Sequence, residues 1–121
     1  MTSILLAGRD WQARALLRAQ LIEEGFEVEA HETIPEALAA CSAGGNLPDL
    51  LIADISASDD PSADVEDLST RCQGIPVWVI ASRAYIIDKG LRGHGFEMIF
   101  LRPVDVGELV EQVKRRLERE G

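Results

Sequence analysis

The chain is short of positive charge. Lys and Arg number 12 against 21 Asp and Glu, a formal net charge of −9 over 121 residues. An acidic surface repels phosphate backbones, which argues against nucleic-acid binding and leaves protein or metal partners open. Cysteine is scarce too. Cys41 and Cys72 fall at apolar positions of helical segments, and their spacing fits no metal motif. Buried structural thiols are expected, since free Cys packs as a small hydrophobe, and a disulfide is not expected in a reducing compartment. The two histidines, His31 and His94, stand alone in polar surroundings, and no Ser-His-Asp or Cys-His set is visible. With no nucleophile–base pair, no enzymatic activity is expected. No apolar run approaches the ~20 residues of a membrane span. Met1-Thr2-Ser3 leads straight into a strand with no basic region before it, so neither a signal peptide nor a membrane location is expected, and the cytoplasm is the expected compartment. Internal repeats, linkers and low-complexity segments are missing. Gly44-Gly45 and Gly93-His94-Gly95 read as turns, because neither opens a helix after a strand as a phosphate loop does.

What is present is an ordinary globular composition, 46% hydrophobic and 27% charged. The length fits one domain over residues 1–121. Five β–α units follow one another. Ser3 to Ala7 reads as a strand, and Asp10 to Glu24 as a helix with Ala13, Leu16, Leu17, Ala19, Gln20 and Leu21 near helical spacing, closed by Gly25. Phe26 to Ala30 alternates apolar and acidic residues, as an edge strand does. Thr33-Ile34-Pro35-Glu36 is a capping box that opens a short helix. Asp49 to Asp54 is the most apolar strand, and Ser56 to Ala63 reads as a polar loop. A helix with Val65, Leu68 and Cys72 on one face comes next. Ile75 to Ala81 is a fourth strand with Trp78 in the core, Ala84 to Arg92 a weaker helix, and Phe96 to Leu101 a fifth strand. Asp105 and Glu108 then cap a last helix with Leu109, Val110, Val113 and Leu117 inside.

Continuous apolar strands alternating with helices predict a parallel sheet covered on both faces. For five strands the expected class is α/β: a flavodoxin-like (βα)5 doubly wound sheet of strand order 2-1-3-4-5. Its ligand crevice lies at the C-terminal ends of the first and third strands. Asp54, which ends the third strand, therefore belongs in that crevice beside residues 8–10. At the ends of the other strands stand Gly8-Arg9, Ala81 and Arg102.

With these landmarks in order, the chain resembles the receiver domain of bacterial two-component response regulators over essentially its full length. The resemblance rests on Ile4-Leu5-Leu6-Ala7, Glu24-Gly25-Phe26, Pro48-Asp49-Leu50-Leu51-Ile52-Ala53-Asp54, Ile75-Pro76-Val77 and Arg102-Pro103. It implies that Asp54 occupies the phospho-acceptor position. It also exposes departures. The acidic pair that holds Mg²⁺ in typical receivers aligns with Gly8 and Arg9. The Ser or Thr ending the fourth strand aligns with Ala81, with Ser82 one residue late. The lysine before a cis-proline aligns with Arg102 before Pro103. Mg²⁺ wants oxygen ligands in near-octahedral geometry, and only Asp54 and Asp10 remain as candidate ligands. Asp10 is also a candidate N-cap of the first helix, and Asp59 and Asp60 fit a solvated loop. No cofactor is expected, Mg²⁺ entering only with a rearranged site.

Arg9 and Arg102 are expected to flank Asp54 in place of metal and lysine, because the guanidinium fork matches a carboxylate. The expected role is then that of a divergent, pseudo-receiver domain signalling through protein contacts, its phosphorylation at Asp54 impaired or absent. A histidine kinase, a phosphotransfer domain, an effector domain or a second copy of the chain would be the partner. The family's contact face, formed by the helix after the fourth strand, the fifth strand and the last helix, offers Tyr85, Ile86, Ile87, Leu91 and Met98, part of which must be core. Ile99, aligned with a switch aromatic, reads as sheet packing. Trp11 stands near the crevice, over the site or against the loop after the third strand. Two alternatives stay open: a working phospho-acceptor with a rearranged metal site, and a flavodoxin-like domain in which Arg9 and Arg102 grip an anion or small molecule.

Overall fold

The computed structural model describes residues 2–43, 47–85, 91 and 93–118. Its elements are β1 (Ser3–Ala7), α1 (Trp11–Glu23), β2 (Glu27–His31), α2 (Ile34–Ala43), β3 (Leu50–Asp54), α3 (Pro61–Arg71), β4 (Val77–Ala81), β5 (Met98–Leu101) and a C-terminal helix α4 (Val106–Glu118). All strand pairs are parallel, in the order β2-β1-β3-β4-β5. This is the flavodoxin-like order expected from the alternating pattern.

The two-residue period of the strands builds two cores at once. Leu5, Ala7, Leu51, Ala53, Val77 and Val79 face α2 and α3. Ile4, Leu6, Leu50, Ile52, Trp78 and Ile80 face α1 and α4, meeting Leu17, Leu21, Leu109, Val110 and Val113. A strand buried on both faces has to be apolar throughout, which is why β3 and β4 carry no polar residue before their ends.

Helix boundaries follow from caps. Asp10 Oδ1 accepts from Ala13 N–H at 3.2 Å at the start of α1. At its end, Gly25 takes φ +96°, so that Phe26 N–H reaches Leu21 O and Gly25 N–H reaches Ile22 O. That pair of bonds is a Schellman closure, and it holds Phe26 out of β2. The capping box forms as expected, with Thr33 N–H on Glu36 Oε1 at 3.1 Å and Glu36 N–H on Thr33 Oγ1 at 3.2 Å. Asp105 Oδ1 accepts from Glu108 N–H at 3.1 Å before α4.

Several boundaries differ from the sequence reading. The loop expected up to Ala63 ends earlier: Asp60 Oδ1 caps Ala63 N–H at 3.1 Å and Pro61 opens α3. A proline in the first turn costs nothing there, because its missing N–H would have had no helical partner. β4 starts at Val77 instead of Ile75, after a proline that has no N–H for the ladder. β5 is shorter than expected at its start, beginning at Met98. Residues 83–85 are helical, and the remainder of the expected 84–92 helix, apart from Leu91, lies outside the described residues.

Candidate functional site

Parallel strands deliver their C-terminal ends to one edge of the sheet. Ala7 pairs in register with Ala53, and Asp54 with Ile80, so residues 8–10, Asp54, Ala81 and Arg102 converge there. Gly8 lies against the acid: a Cβ placed on it would stand 3.1 Å from Asp54 Cβ. The crevice expected beside Asp54 is therefore narrow on the β1 side.

The Asp54 side chain is 12% exposed and both its oxygens are engaged. Oδ2 accepts from Arg102 Nη2 at 2.6 Å. Oδ1 accepts from Ser56 N–H at 2.9 Å and from Ser56 Oγ at 2.6 Å. The backbone bond two residues on is an Asx turn, and the Ser56 hydroxyl reinforces it. Sequence reasoning missed Ser56, although the spacing Asp-x-Ser at a strand end was the signal available.

Arg102 spans two acids. The same Nη2 lies 3.4 Å from Asp10 Oδ2, while Asp10 Oδ1 caps α1. The Asp54 bond holds the Arg102 proton more firmly than usual, against the effect of partial burial, with Asp10 adding to it. Asp10 in turn is held below the ordinary carboxylate range, first by the Ala13 N–H and then, against desolvation, by Arg102. Arg102 Nε is buried and has no hydrogen-bond partner among the described residues. The Arg102–Pro103 peptide is cis.

Arg9 does not join this cluster. Its Nη2 bonds Asp59 Oδ2 at 2.5 Å on the surface, which corrects the expectation that two arginines flank Asp54. Arg102 already fills the space at Oδ2, and the acidic loop after β3 draws Arg9 outward. Such an exposed pair contributes only about 0–1 kcal/mol. Asp59 is thus paired and Asp60 is a helix cap. Ala81 is fully buried and brings no hydroxyl. Ser82 Oγ accepts from Tyr85 N–H at 3.2 Å, capping the helical residues that follow.

Two cavities flank Asp54. One of about 70 Å³ lies under α1 and α4, lined by Ala7, Asp10, Arg14, Arg102, Val106 and Leu109 among others. Arg14, one of its lining residues, donates to Gly8 O. The other, of about 280 Å³, lies towards α2 and α3, where Glu32, Asp54, Asp59, Asp60, Asp64 and Asp67 meet a single cation, Arg9. Asp64 is buried there and accepts from Ser58 Oγ. Burial raises its pKa, the Ser58 bond opposes this, and the neighbouring acids Asp67, Asp60 and Asp59 add to the rise. Asp64, in the first turn of α3, was not among the sequence-predicted site residues. Among the described residues, no group of three or more His, Cys, Asp or Glu side chains is gathered to hold a metal ion.

The face expected to dock partners is partly interior. Leu91 is in the core, and Tyr85 packs against that core, so Leu91 is removed from the expected docking surface. Met98 packs on the opposite core and is partly covered, and Ile86 and Ile87 lie outside the described residues. Ile99 packs on the sheet. Trp78 is buried, its Nε1 donating to Glu97 Oε2 at 2.9 Å, while Trp11 stands exposed.

No protein-family model matches the chain, and no curated protein matches it. Solved structures do. A response regulator receiver domain protein (CheY-like) from Methanospirillum hungatei JF-1 superposes with a TM-score of 0.81 at 24% identity, over 100% of this chain and 99% of that one. A receiver domain from Clostridium thermocellum gives 0.81 at 16% identity, over 99% and 97%. The receiver domain of the Francisella response regulator 1452 gives 0.80 at 18%, over 100% of both chains. The chain has the fold of a response regulator receiver domain. Within that fold, Asp54 ends β3 at the C-terminal edge of the sheet, with Arg102 bonded to it. No helix among the described residues is long and apolar enough to cross a membrane.

Proposed function

We propose that this protein is a divergent receiver module of two-component signal transduction that works through protein contacts, with Mg²⁺-dependent phosphorylation at Asp54 impaired or absent. The observation that carries the reading is the 2.6 Å bond from Arg102 Nη2 to Asp54 Oδ2. It puts a fixed guanidinium on the oxygen that a metal or an incoming phosphoryl group would need. The other oxygen is held by Ser56. A carboxylate with both oxygens engaged is a poor nucleophile, because attack must first break charge-assisted bonds.

The residues present do not fit a hard divalent cation. Gly8 offers no side-chain oxygen, Arg9 brings positive charge, and Asp10 is turned to a helix cap and to Arg102. Mg²⁺ needs several oxygens in octahedral array, and these side chains do not supply them. Ala81 supports the same reading: with no hydroxyl at the end of β4, a phosphoryl group on Asp54 would lack its partner there. The domain is read as non-enzymatic and cytoplasmic, with a histidine kinase, a phosphotransfer domain or an effector domain as its partner.

The test is an NMR titration of the labelled domain with beryllofluoride, which mimics a phosphoryl group on aspartate, with and without Mg²⁺. The expected result is a spectrum unchanged around Asp54. Mg²⁺-dependent shifts centred on Asp54 and spreading to Ala81 and Ile99 would instead establish a working phospho-acceptor.

A further inference from the structure

Helix α1 carries apolar side chains on both of its sides. Its inner side puts Leu17 and Leu21 into the core. At 100° per residue, the side diametrically opposite holds Gln12, Ala15, Ala19 and Ile22, flanked by Trp11 and Leu16. All six are exposed. Trp11 is 64%, Leu16 50% and Ile22 43% exposed, which makes α1 the source of most of the large exposed hydrophobics among the described residues. A surface helix in a monomer ordinarily has one apolar stripe and a charged outer face, and a contiguous outward apolar patch marks an interaction surface.

The charges beside the outer stripe indicate what fits it. Positions 12, 15, 19 and 22 step by three, four and three residues, so a helix packed alongside would meet them as a and d positions, three of them apolar and Gln12 polar at the end of the stripe. Alanines at the middle two positions let a facing helix approach closely. On the flanks of this stripe Arg18 occupies a g position and Glu23 the following e position, so in a parallel pair Arg18 of one copy faces Glu23 of the other, twice by symmetry. An antiparallel pair would bring like flanks together. The stripe is also poor in acid: Arg18 and Glu23 flank it with one charge of each sign, in a chain of net charge −9, while Arg14 is turned inward to Gly8 O.

We infer that the outer face of α1 is a self-association surface, on which two copies of this chain pair α1 to α1 in parallel through Ala15, Ala19 and Ile22, with Trp11 at its rim. The inference stands on α1 and is independent of the state of Asp54. A helix of 13 residues is about 20 Å long, and a contact of this size belongs to the weak class below ~1,200 Å² of total buried surface. The dimer is therefore expected to be reversible and concentration-dependent.

The test is sedimentation equilibrium of the whole chain over a wide concentration series, run alongside acrylamide quenching of tryptophan. Trp78 is buried, so the quenchable emission comes from Trp11. Weight-average mass is expected to rise towards twice that of the chain while Trp11 becomes protected over the same range. Ala19→Glu, on an exposed position, is expected to leave the fold intact and abolish both changes. Arg18→Glu and Glu23→Arg singly are expected to weaken association several-fold, and the double exchange to recover it. A monomer at every concentration overturns the proposal, whatever else then binds α1. So does a dimer that Ala19→Glu leaves intact, or one whose double charge exchange fails to recover the loss.

Discussion

Replacing Arg102 by alanine removes the guanidinium that faces both Asp54 and Asp10. Its effect on stability can be bounded from the geometry. The Arg102 side chain is a third exposed and that of Asp54 only 12%. Exposed pairs contribute about 0–1 kcal/mol, and breaking a fully buried pair costs about 3–5 kcal/mol because the survivor is stranded. Asp54 is not stranded here, since both Ser56 bonds remain. The expected loss is therefore about 1–2 kcal/mol, after discounting for solvent at Arg102. With 121 residues and about 2.1 cal/mol/K of unfolding entropy per residue, this lowers Tm by about 4–8 °C. Thermal and urea unfolding of wild type, Arg102→Ala, Asp54→Ala and the double variant form a cycle that isolates the pair. The coupling energy is expected to be about 1 kcal/mol or more. Arg102→Lys, which keeps the charge and loses the fork, is expected to fall between wild type and alanine. A coupling energy of zero within error, with Arg102→Ala as stable as wild type, would refute the view that Arg102 locks Asp54.

Three further outcomes follow from the same structure. Glu97 accepts from Arg116 Nε at 2.8 Å and from Trp78 Nε1 at 2.9 Å, and these bonds lower its pKa below the usual 4.5, the Arg116 bond most. Its stabilisation is thus present above pH 4.5 and is lost as pH falls through the lower folded value; urea midpoints between neutral and acid pH should show a shallower fall for Glu97→Gln than for wild type, and parallel curves would contradict this. Asp64 has the opposite sign. Burial raises its folded pKa above 3.8, so its ionised form opposes folding at neutral pH and the penalty fades as pH falls through that raised value. Asp64→Asn should raise the neutral urea midpoint and lose that advantage in acid. Burial also pushes the Cys72 thiol up to about 11, leaving on the order of one thiolate in a thousand at pH 8. Iodoacetamide should label Cys72 slowly in the native state and far faster in urea, and rapid native labelling located at Cys72 by mass spectrometry would count against its burial.

The cavities and docking faces show how unevenly the site was legible. Asp54 could be placed from sequence because a buried strand ending in an acid has few locations in a parallel sheet. The cap at Asp10 was readable because its bond to Ala13 N–H is local. Choosing between Arg9 and Arg102 as partner of Asp54 was not. The two arginines are far apart in sequence, and each follows a strand at the sheet edge that carries Asp54, so only the folded geometry puts Arg102 on Asp54 and Arg9 on Asp59. Leu91 was offered as surface and proved to be core for a similar reason: its neighbours come from distant strands and helices. The outer stripe of α1 was present in the sequence all along, but it reads as a site only once the opposite stripe is known to face the sheet.

Local chemistry, then, determined the elements of this protein: apolar runs for the strands, capping residues for the helix ends, and Gly25 for the turn into β2. Alternation of those elements determined a parallel sheet, because only a sheet covered on both faces can bury five such strands. Tertiary structure alone decided which charge meets which: Arg102 on Asp54, Arg9 on Asp59, Arg116 on Glu97. The reason is one of range. Backbone capping acts over a few residues and is written in sequence, whereas an ion pair depends on ångström-scale distances between side chains 19 to 50 positions apart, and those distances exist only after the sheet has formed.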